Sequence, residues 1–154
     1  MMNKIIVIGC DNAAVQLKNT IKGYVESLGL SVEDLGCFSA DDQIMYPLVA
    51  ERVCEKIKKS NFKKEGILIC GTGIGMAISA NKCRGIRAAV CHDSFSAERA
   101  KLSNNANVLC MGERVIGQEL AKKITKEWLS LTFIDGSSTP KVNAIKEIET
   151  RNFK

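Results

Sequence analysis

The segment Cys70-Gly71-Thr72-Gly73-Ile74-Gly75 brings a thiol, a hydroxyl and three glycines together in one short stretch. Glycines allow the backbone to turn sharply and to bring its N–H groups close to a ligand. Where such a turn opens a helix, the positive end of the helix favours negative charge. The segment therefore predicts an anion-binding loop with Cys70 directly before it.

The residues around this loop argue against three familiar phosphate-binding motifs. Met76 stands where a dinucleotide fingerprint needs its third glycine, and no acidic residue follows at the usual distance on a second strand. No Gly-Lys-Ser/Thr ends the loop as in a Walker motif, and Met76 also stands where a cysteine phosphatase needs arginine. We therefore expect no nucleotide or nicotinamide cofactor.

The position of Cys70 suggests proton transfer. A thiol directly before a helix N-terminus ionises more readily than a free cysteine. A thiolate beside anion-stabilising N–H groups suits removal of a proton from carbon next to a carbonyl. The loop N–H groups and the Thr72 hydroxyl would then hold the enediolate charge, without metal or cofactor. The alternative that Cys70 is simply a small core residue at a strand end stays open at this point.

The composition is that of one globular domain over residues 1–154, with 45% hydrophobic and 25% charged residues. No apolar run of roughly 20 residues and no signal sequence occurs, so we expect no membrane association and a cytoplasmic location. Seven cysteines without a Cys-x-x-Cys pair, and one histidine, indicate reduced thiols and no metal site. The net charge of +5 comes from scattered lysines without interleaved aromatics, which argues against nucleic acid as a partner.

Apolar runs alternate with amphipathic stretches along the chain. Strands are predicted at 4–9, 32–35, 66–70, 87–91 and 107–111. Helices are predicted at 15–28, 47–59, 73–82, 95–102 and 118–131, with a final amphipathic helix after Pro140. This order predicts an α/β fold: an open, doubly wound, five-stranded parallel sheet in a Rossmann-like three-layer sandwich, with an extra C-terminal helix.

In such a sheet, ligands bind outside the carboxyl ends of the strands where the strand order reverses, commonly between strands one and three. Strand one ends in Asp11-Asn12 and strand three ends in the Cys70 loop, so these two segments should face each other. Asp11 could instead serve only as a helix N-cap. His92, after the fourth strand, is either a catalytic acid or a capping or surface residue.

Two basic residues of the fourth predicted helix have no evident part in such a site. Arg99 and Lys101 stand near its C-terminal end, where basic side chains commonly face water. We expect both to be solvated helix charges.

With these residues in view, the sequence resembles the type B ribose-5-phosphate isomerases, a family that includes the galactose-6-phosphate isomerase subunits. The resemblance covers nearly the whole chain. It rests on Gly9-Cys10-Asp11, Tyr46-Pro47, the block from Gly66 to Gly75, Ala80-Asn81-Lys82, Gly85-Ile86-Arg87, Asn104, Asn107 and the block from Gly112 to Gly117. It implies a cofactor-independent aldose-ketose isomerase that works as a homodimer or homotetramer with active sites between subunits. The first substrate pair it implies is ribose 5-phosphate and ribulose 5-phosphate.

The resemblance also implies roles for individual residues. One branch of the family uses a loop cysteine as the base and another a glutamate further along the loop, so Cys70 and Met76 resemble the cysteine branch. Thr72 would assist proton transfer, and Asn104 and Arg114 would reach the substrate from the neighbouring subunit. The remaining implied substrate contacts are Asp11, Asn12, Tyr46, Gly71, Gly73, Ile74, Gly75, Ser103 and Lys141.

Several departures from the family pattern leave the sugar open. Asn12 and Ser103 stand where the family usually has histidines, the second of which opens the sugar ring. The phosphate-binding segment near the C-terminus is replaced by residues 136–141, so that only Arg114 and Lys141 remain of its cations. Galactose 6-phosphate, allose 6-phosphate and an acyclic tetrose phosphate are alternative substrates. A non-catalytic sugar-phosphate-binding partner subunit and a thiol redox sensor built on Cys70 or Cys10 are alternative functions.

Overall fold

Strands and helices alternate along residues 3–153, the part of the chain that the computed structural model describes. The strands are β1 (Ile5–Cys10), β2 (Ser31–Asp34), β3 (Glu65–Cys70), β4 (Ala88–Val90) and β5 (Val108–Gly112). The helices are α1 (Val15–Ser27), α2 (Tyr46–Lys59), α3 (Ile74–Ala80), α4 (Ser94–Leu102), α5 (Gln118–Ser130) and α6 (Thr139–Asn152). A single 3-10 turn, Asn12–Ala14, precedes α1. Each predicted strand and helix is present, with small differences at the ends.

The five strands form one parallel sheet in the order β2-β1-β3-β5-β4. Helices α1, α4 and α5 pack on one face of the sheet, where Ile21, Ile124 and Trp128 are fully buried. Helices α2 and α3 pack on the other face, where Val53 and Met76 are fully buried. The predicted doubly wound three-layer sandwich is confirmed, including the adjacency of β1 and β3.

A buried ion pair fixes the chain where it leaves β2. Lys18 on α1 is fully buried, and its Nζ lies 2.9 and 2.8 Å from the two carboxylate oxygens of Asp34. The same ammonium donates to the carbonyl of Cys37 at 3.0 Å. The N–H of Cys10 in turn donates to the carbonyl of Gly36 at 2.6 Å. The Lys18–Asp34 pair thus holds residues 34–37 against the end of β1.

Lys101 departs from its expected place in solvent. Its ammonium lies 3.7 Å from the centroid of the Trp128 ring and pairs with the carboxylate of Glu65. Burial lowers the pKa of Lys101 to about 8 against the opposing field of Glu65. The expectation was wrong because Lys101 faces α5 rather than water. Arg99 pairs with Glu98 at the surface, as expected of a solvated helix charge.

Within residues 3–153, none of the helices has both the length and the apolar character needed to cross a membrane. The cytoplasmic location expected from the sequence stays a prediction.

Candidate active site

A pocket of about 400 Å³ opens at the carboxyl ends of β1, β3 and β5. Its walls are formed by Asp11, Tyr46, Cys70, Gly71, Thr72, Ile74, Gly75, Ile78 and Arg114. The two predicted segments meet here because β1 pairs with β3, and the N–H of Asp11 donates to the carbonyl of Ile69 at 3.3 Å. The prediction that Asp11 and the Cys70 loop face each other is confirmed.

Cys70 is the last residue of β3, and its side chain reaches the pocket although the residue is only 5% exposed. Its Sγ accepts a hydrogen bond from the N–H of Gly73 at 3.1 Å. A donor in this position favours a sulfur that carries negative charge, because hydrogen bonds to charged acceptors are the stronger ones. Cys70 therefore combines access to a ligand with a polar partner for a thiolate.

The loop after Cys70 has the backbone conformation that its glycines predict. Gly73 has a φ of +78° and is the N-cap of α3, and a Cβ atom there would lie 2.8 Å from the backbone carbon of Met111. The Thr72 hydroxyl accepts from the N–H of Ile74 at 3.3 Å. Among residues 3–153, no group accepts from the N–H groups of Gly71, Thr72 or Gly75. The loop thus presents donors for an anionic ligand.

Tyr46 and Asp11 both line the pocket beside the loop. Tyr46 begins α2, with Pro47 in its first turn, and its ring packs against Gly75. The Asp11 carboxylate accepts from the N–H of Ala13 at 3.0 Å and so caps the turn before α1. Asp11 therefore lines the pocket and also serves as the cap considered from sequence.

Arg114 is the one cation among the residues that line this pocket. It follows β5, and its N–H donates to the carbonyl of Gly71 at 3.0 Å while the N–H of Glu113 donates to that of Cys70 at 2.9 Å. These bonds hold the backbone of Arg114 beside the loop of its own chain. The guanidinium Nη1 lies against Gly71. The expectation that Arg114 reaches the substrate from a neighbouring subunit stays a prediction.

Five other predicted contacts lie outside this lining. Gly73 belongs to the loop but is buried, and Asn12 is exposed at the start of the 3-10 turn. Ser103 caps the end of α4, and Asn104 lines a separate groove beside α6. Lys141 is exposed on α6. Their roles toward substrate stay predictions.

Sequence reasoning missed Ile78, which lines the pocket from α3. It stands four residues after Ile74, a spacing that places both side chains on one face of a helix. Because Ile74 is a predicted substrate contact, this spacing could have identified Ile78 from the sequence.

His92 is half-buried and is not part of the pocket lining. Its Nε2 accepts from the N–H of Gly112 at 2.9 Å, at the end of β5. Burial lowers the pKa of His92, and the nearby Asp93 carboxylate opposes that shift. The hydrogen bond from Gly112 needs an unprotonated Nε2, so it favours the neutral imidazole, and His92 holds the backbone of β5 through this bond.

The other cysteines are buried or half-buried free thiols, as the sequence predicts. Burial raises the pKa of Cys10 to about 12 and that of Cys91 to about 11, and it raises those of Cys54 and Cys110 as well. These groups stay protonated at neutral pH. Within residues 3–153, no cluster of three or more His, Cys, Asp or Glu side chains has an arrangement suited to a metal ion.

Comparison with known proteins agrees with this geometry. A family profile described as Ribose/Galactose Isomerase matches residues 6–145. D-erythrulose-4-phosphate isomerase of Pectobacterium atrosepticum is 51% identical over 140 residues, which cover 91% of each chain. Ribose-5-P isomerase B of Listeria innocua is 45% identical over 96% of this chain and 98% of its own.

A solved structure of ribose-5-phosphate isomerase B from Mycoplasma genitalium, with bound ribulose-5-phosphate, superimposes with a TM-score of 0.93. It is 34% identical and covers 99% of this chain and 100% of its own. The chain therefore belongs to the ribose/galactose isomerase family, which includes the type B ribose-5-phosphate isomerases, and is a sugar-phosphate isomerase.

Proposed function

We propose that this enzyme interconverts an aldose phosphate and a ketose phosphate through a cis-enediolate, with Cys70 as the base. The observation that carries the proposal is the Cys70 Sγ in a pocket whose loop offers free N–H donors. The thiolate takes the proton from C2 of the aldose and becomes a thiol, while the electron pair moves toward O1. The thiol then returns the proton to C1, and the hydroxyl proton passes from O2 to O1 beside Thr72.

The loop and Arg114 supply the charge stabilisation that this route requires. The N–H groups of Gly71 and Thr72 are available to the enediolate oxygens, where charge develops during the reaction. Arg114, the cation of the pocket lining, is suited to the substrate phosphate because its planar fork binds such groups in a bidentate manner. Asp11 and Tyr46, which line the pocket, would contact the sugar hydroxyls.

We propose a four-carbon substrate pair, D-erythrose 4-phosphate and D-erythrulose 4-phosphate. With O4 phosphorylated, neither compound has a free hydroxyl that can close a five-membered ring, so no acid is needed for ring opening. Ser103 stands in place of the ring-opening histidine, and the single histidine, His92, already accepts from the backbone of Gly112. The relative from Pectobacterium, named for D-erythrulose 4-phosphate, supports the same choice.

Ribose 5-phosphate and ribulose 5-phosphate are the second candidate pair, the one first implied by the sequence resemblance. The relative from Listeria innocua is named a ribose-5-P isomerase, and the Mycoplasma structure holds ribulose-5-phosphate. Ribose 5-phosphate closes a furanose ring, so its use would require a ring-opening acid, and the pocket lining of a single chain contains no histidine for that role.

We also propose that the active enzyme is a homodimer or homotetramer. Three predicted substrate contacts lie outside the pocket of their own chain: Ser103, Asn104 and Lys141. They could contact a substrate only in the pocket of a second subunit. The groove beside α6 that Asn104 lines also exposes apolar side chains, among them Ile145 and Ile148. Light scattering of the purified protein tests this, because a monomeric mass would contradict it.

A panel of phosphates tests the activity and the substrate together. Purified protein, without added metal, is assayed with the 4-phosphate of erythrose, the 5-phosphate of ribose, and the 6-phosphates of galactose and allose. We expect the highest kcat/KM with erythrose 4-phosphate and loss of activity in Cys70→Ala, whereas the control Cys83→Ala, outside the pocket lining, stays active. Binding without turnover across the panel would instead favour a non-catalytic subunit.

A further inference from the structure

His92 lies where the edge strand β4 leaves the sheet. The last backbone hydrogen bond between the β4 and β5 segments runs from the N–H of Cys91 to the carbonyl of Cys110, at 3.1 Å. Two residues later the side chain of Asp93 accepts from the N–H of Ser96 and caps α4. The chain therefore turns away from β5 immediately after His92.

The end of β5 needs an acceptor at this point. N–H groups that β5 directs toward β4 occur at every second residue, as in the bond from Val108 to the carbonyl of Arg87 at 3.3 Å. The same spacing would direct the N–H of Gly112 to the carbonyl of Cys91. The imidazole of His92 takes that bond instead, with Nε2 2.9 Å from the Gly112 nitrogen. A side chain thus extends the ladder by one bond after the strand has ended.

Gly112 is the residue on which the Cys70 loop rests. It is the register partner of Cys70, and a Cβ atom on it would lie 2.5 Å from the Cα of Thr72. The N–H of the following residue, Glu113, donates to the carbonyl of Cys70 at 2.9 Å. A shift of Gly112 therefore moves the backbone of Cys70 and Thr72.

We propose that His92 is a positioning residue for the isomerisation: by accepting the Gly112 N–H it fixes the end of β5, and through it the Cys70 loop. The inference rests on the proposed role of Cys70 as the base. His92 does not touch the substrate in this account. Its effect is on the placement of the reacting groups, to which the rate of a proton transfer is highly sensitive.

The proposal has a pH signature, because only the neutral imidazole has a lone pair to offer at Nε2. Asp93 is the charged neighbour that favours the protonated ring, and burial disfavours it. On the adjoining β5 segment, the Glu113 carboxylate accepts from the N–H of Leu17, and the Arg114 guanidinium lies against Gly71. Burial dominates and lowers the pKa of His92 below its ordinary value of 6.5, so the bond to Gly112 is lost on the acid side of that value.

Two amide substitutions of similar polarity provide the test. In His92→Gln the side-chain oxygen takes the place of Nε2, whereas in His92→Asn it takes the place of Nδ1 and falls short of Gly112. We expect kcat of the glutamine variant to stay within about threefold of wild type and that of the asparagine variant to fall about tenfold, with KM nearly unchanged. Protonation of His92 should lower kcat of the wild-type enzyme at low pH. That decrease should be absent from the glutamine variant.

A measurement on the wild-type protein makes the test independent of how the variants fold. Because His92 is the single histidine, its ring nitrogens can be assigned in one NMR spectrum, and we expect the proton on Nδ1 at pH 7.5. A proton on Nε2, or wild-type kcat in a folded asparagine variant, would overturn the proposal. Full activity of Cys70→Ala would overturn the proposed base while leaving the NMR result as it is.

Discussion

The guanidinium of Arg114 lies against the residue that follows Cys70, with Nη1 3.2 Å from the position that a Cβ atom would take on Gly71. The N–H of Arg114 donates to the carbonyl of the same glycine at 3.0 Å. Backbone and side chain of Arg114 thus both meet the loop. Gly71 is bonded to Cys70 in the chain and contacts Arg114. The position of the guanidinium relative to the Cys70 thiol is therefore fixed through Gly71.

Arg114→Met should weaken substrate binding more than it slows chemistry. A hydrogen bond to a charged group contributes about 1.5 to 3 kcal/mol, so KM should rise roughly 10- to 100-fold. Steady-state kinetics and competitive inhibition by inorganic phosphate measure this directly. Arg99→Met, which alters an arginine outside the pocket lining, is the matched control, and an equal rise in KM for both variants would contradict the assignment.

Cys70 should be the first thiol to react with iodoacetamide at pH 7.5. It lines the pocket, while burial raises the pKa values of Cys10, Cys54, Cys91 and Cys110 and keeps them as unreactive thiols. Peptide mass spectrometry after partial labelling identifies the modified residue, and substrate should slow the reaction. Faster labelling of another cysteine would count against the role given to Cys70.

Stability should fall in alkaline solution because buried thiols must ionise when the chain unfolds. The pKa of Cys91 is raised from 9.0 to about 11 in the folded state. The folded state therefore binds more protons than the unfolded state between these values, and stability is lost as pH rises through this window. For Cys91 the loss is on the order of 3 kcal/mol, since one pKa unit corresponds to about 1.36 kcal/mol.

Urea unfolding under reducing conditions from pH 7 to 10.5 measures most of this loss, about 2 kcal/mol. The free energy of unfolding of Cys91→Ala should decline less steeply with pH than that of the wild-type enzyme. Parallel declines would show that Cys91 does not contribute.

Lys18→Met should destabilise the fold strongly, whereas Lys22→Met should not. Both lysines approach Asp34, but the Lys18 side chain is 0% exposed at 2.8 Å and that of Lys22 is 36% exposed at 3.8 Å. Removing one partner of a buried pair costs about 3 to 5 kcal/mol, while an exposed pair contributes about 0 to 1 kcal/mol. Urea unfolding of the two variants at pH 7 gives the comparison, and equal losses would contradict it.

The fold and the core of the pocket follow from local sequence signals. The alternation of apolar and amphipathic segments predicts the parallel sheet, and strand order then places Asp11 opposite Cys70. The left-handed conformation at position 73 is also predictable, because glycine adopts a positive φ most readily.

The directions in which long side chains point could not be predicted from the sequence. Lys101 is buried on Trp128 because two helices meet there, a tertiary contact that charge patterning along one helix does not reveal. The ring of His92 replaces a strand carbonyl only because β4 is short. The place of Arg114 likewise depends on how β5 ends beside the loop of β3.

The most direct test of Cys70 as the base is the rate at which its substrate exchanges the transferred proton with solvent. Aldose phosphate is incubated in D₂O with wild-type enzyme or Cys70→Ser, and proton NMR follows deuterium entering C1 of the ketose and C2 of the aldose. We expect the wild-type enzyme to introduce the label and Cys70→Ser to be at least about 10³-fold slower in both labelling and turnover. Labelling by Cys70→Ser at the wild-type rate would contradict the account.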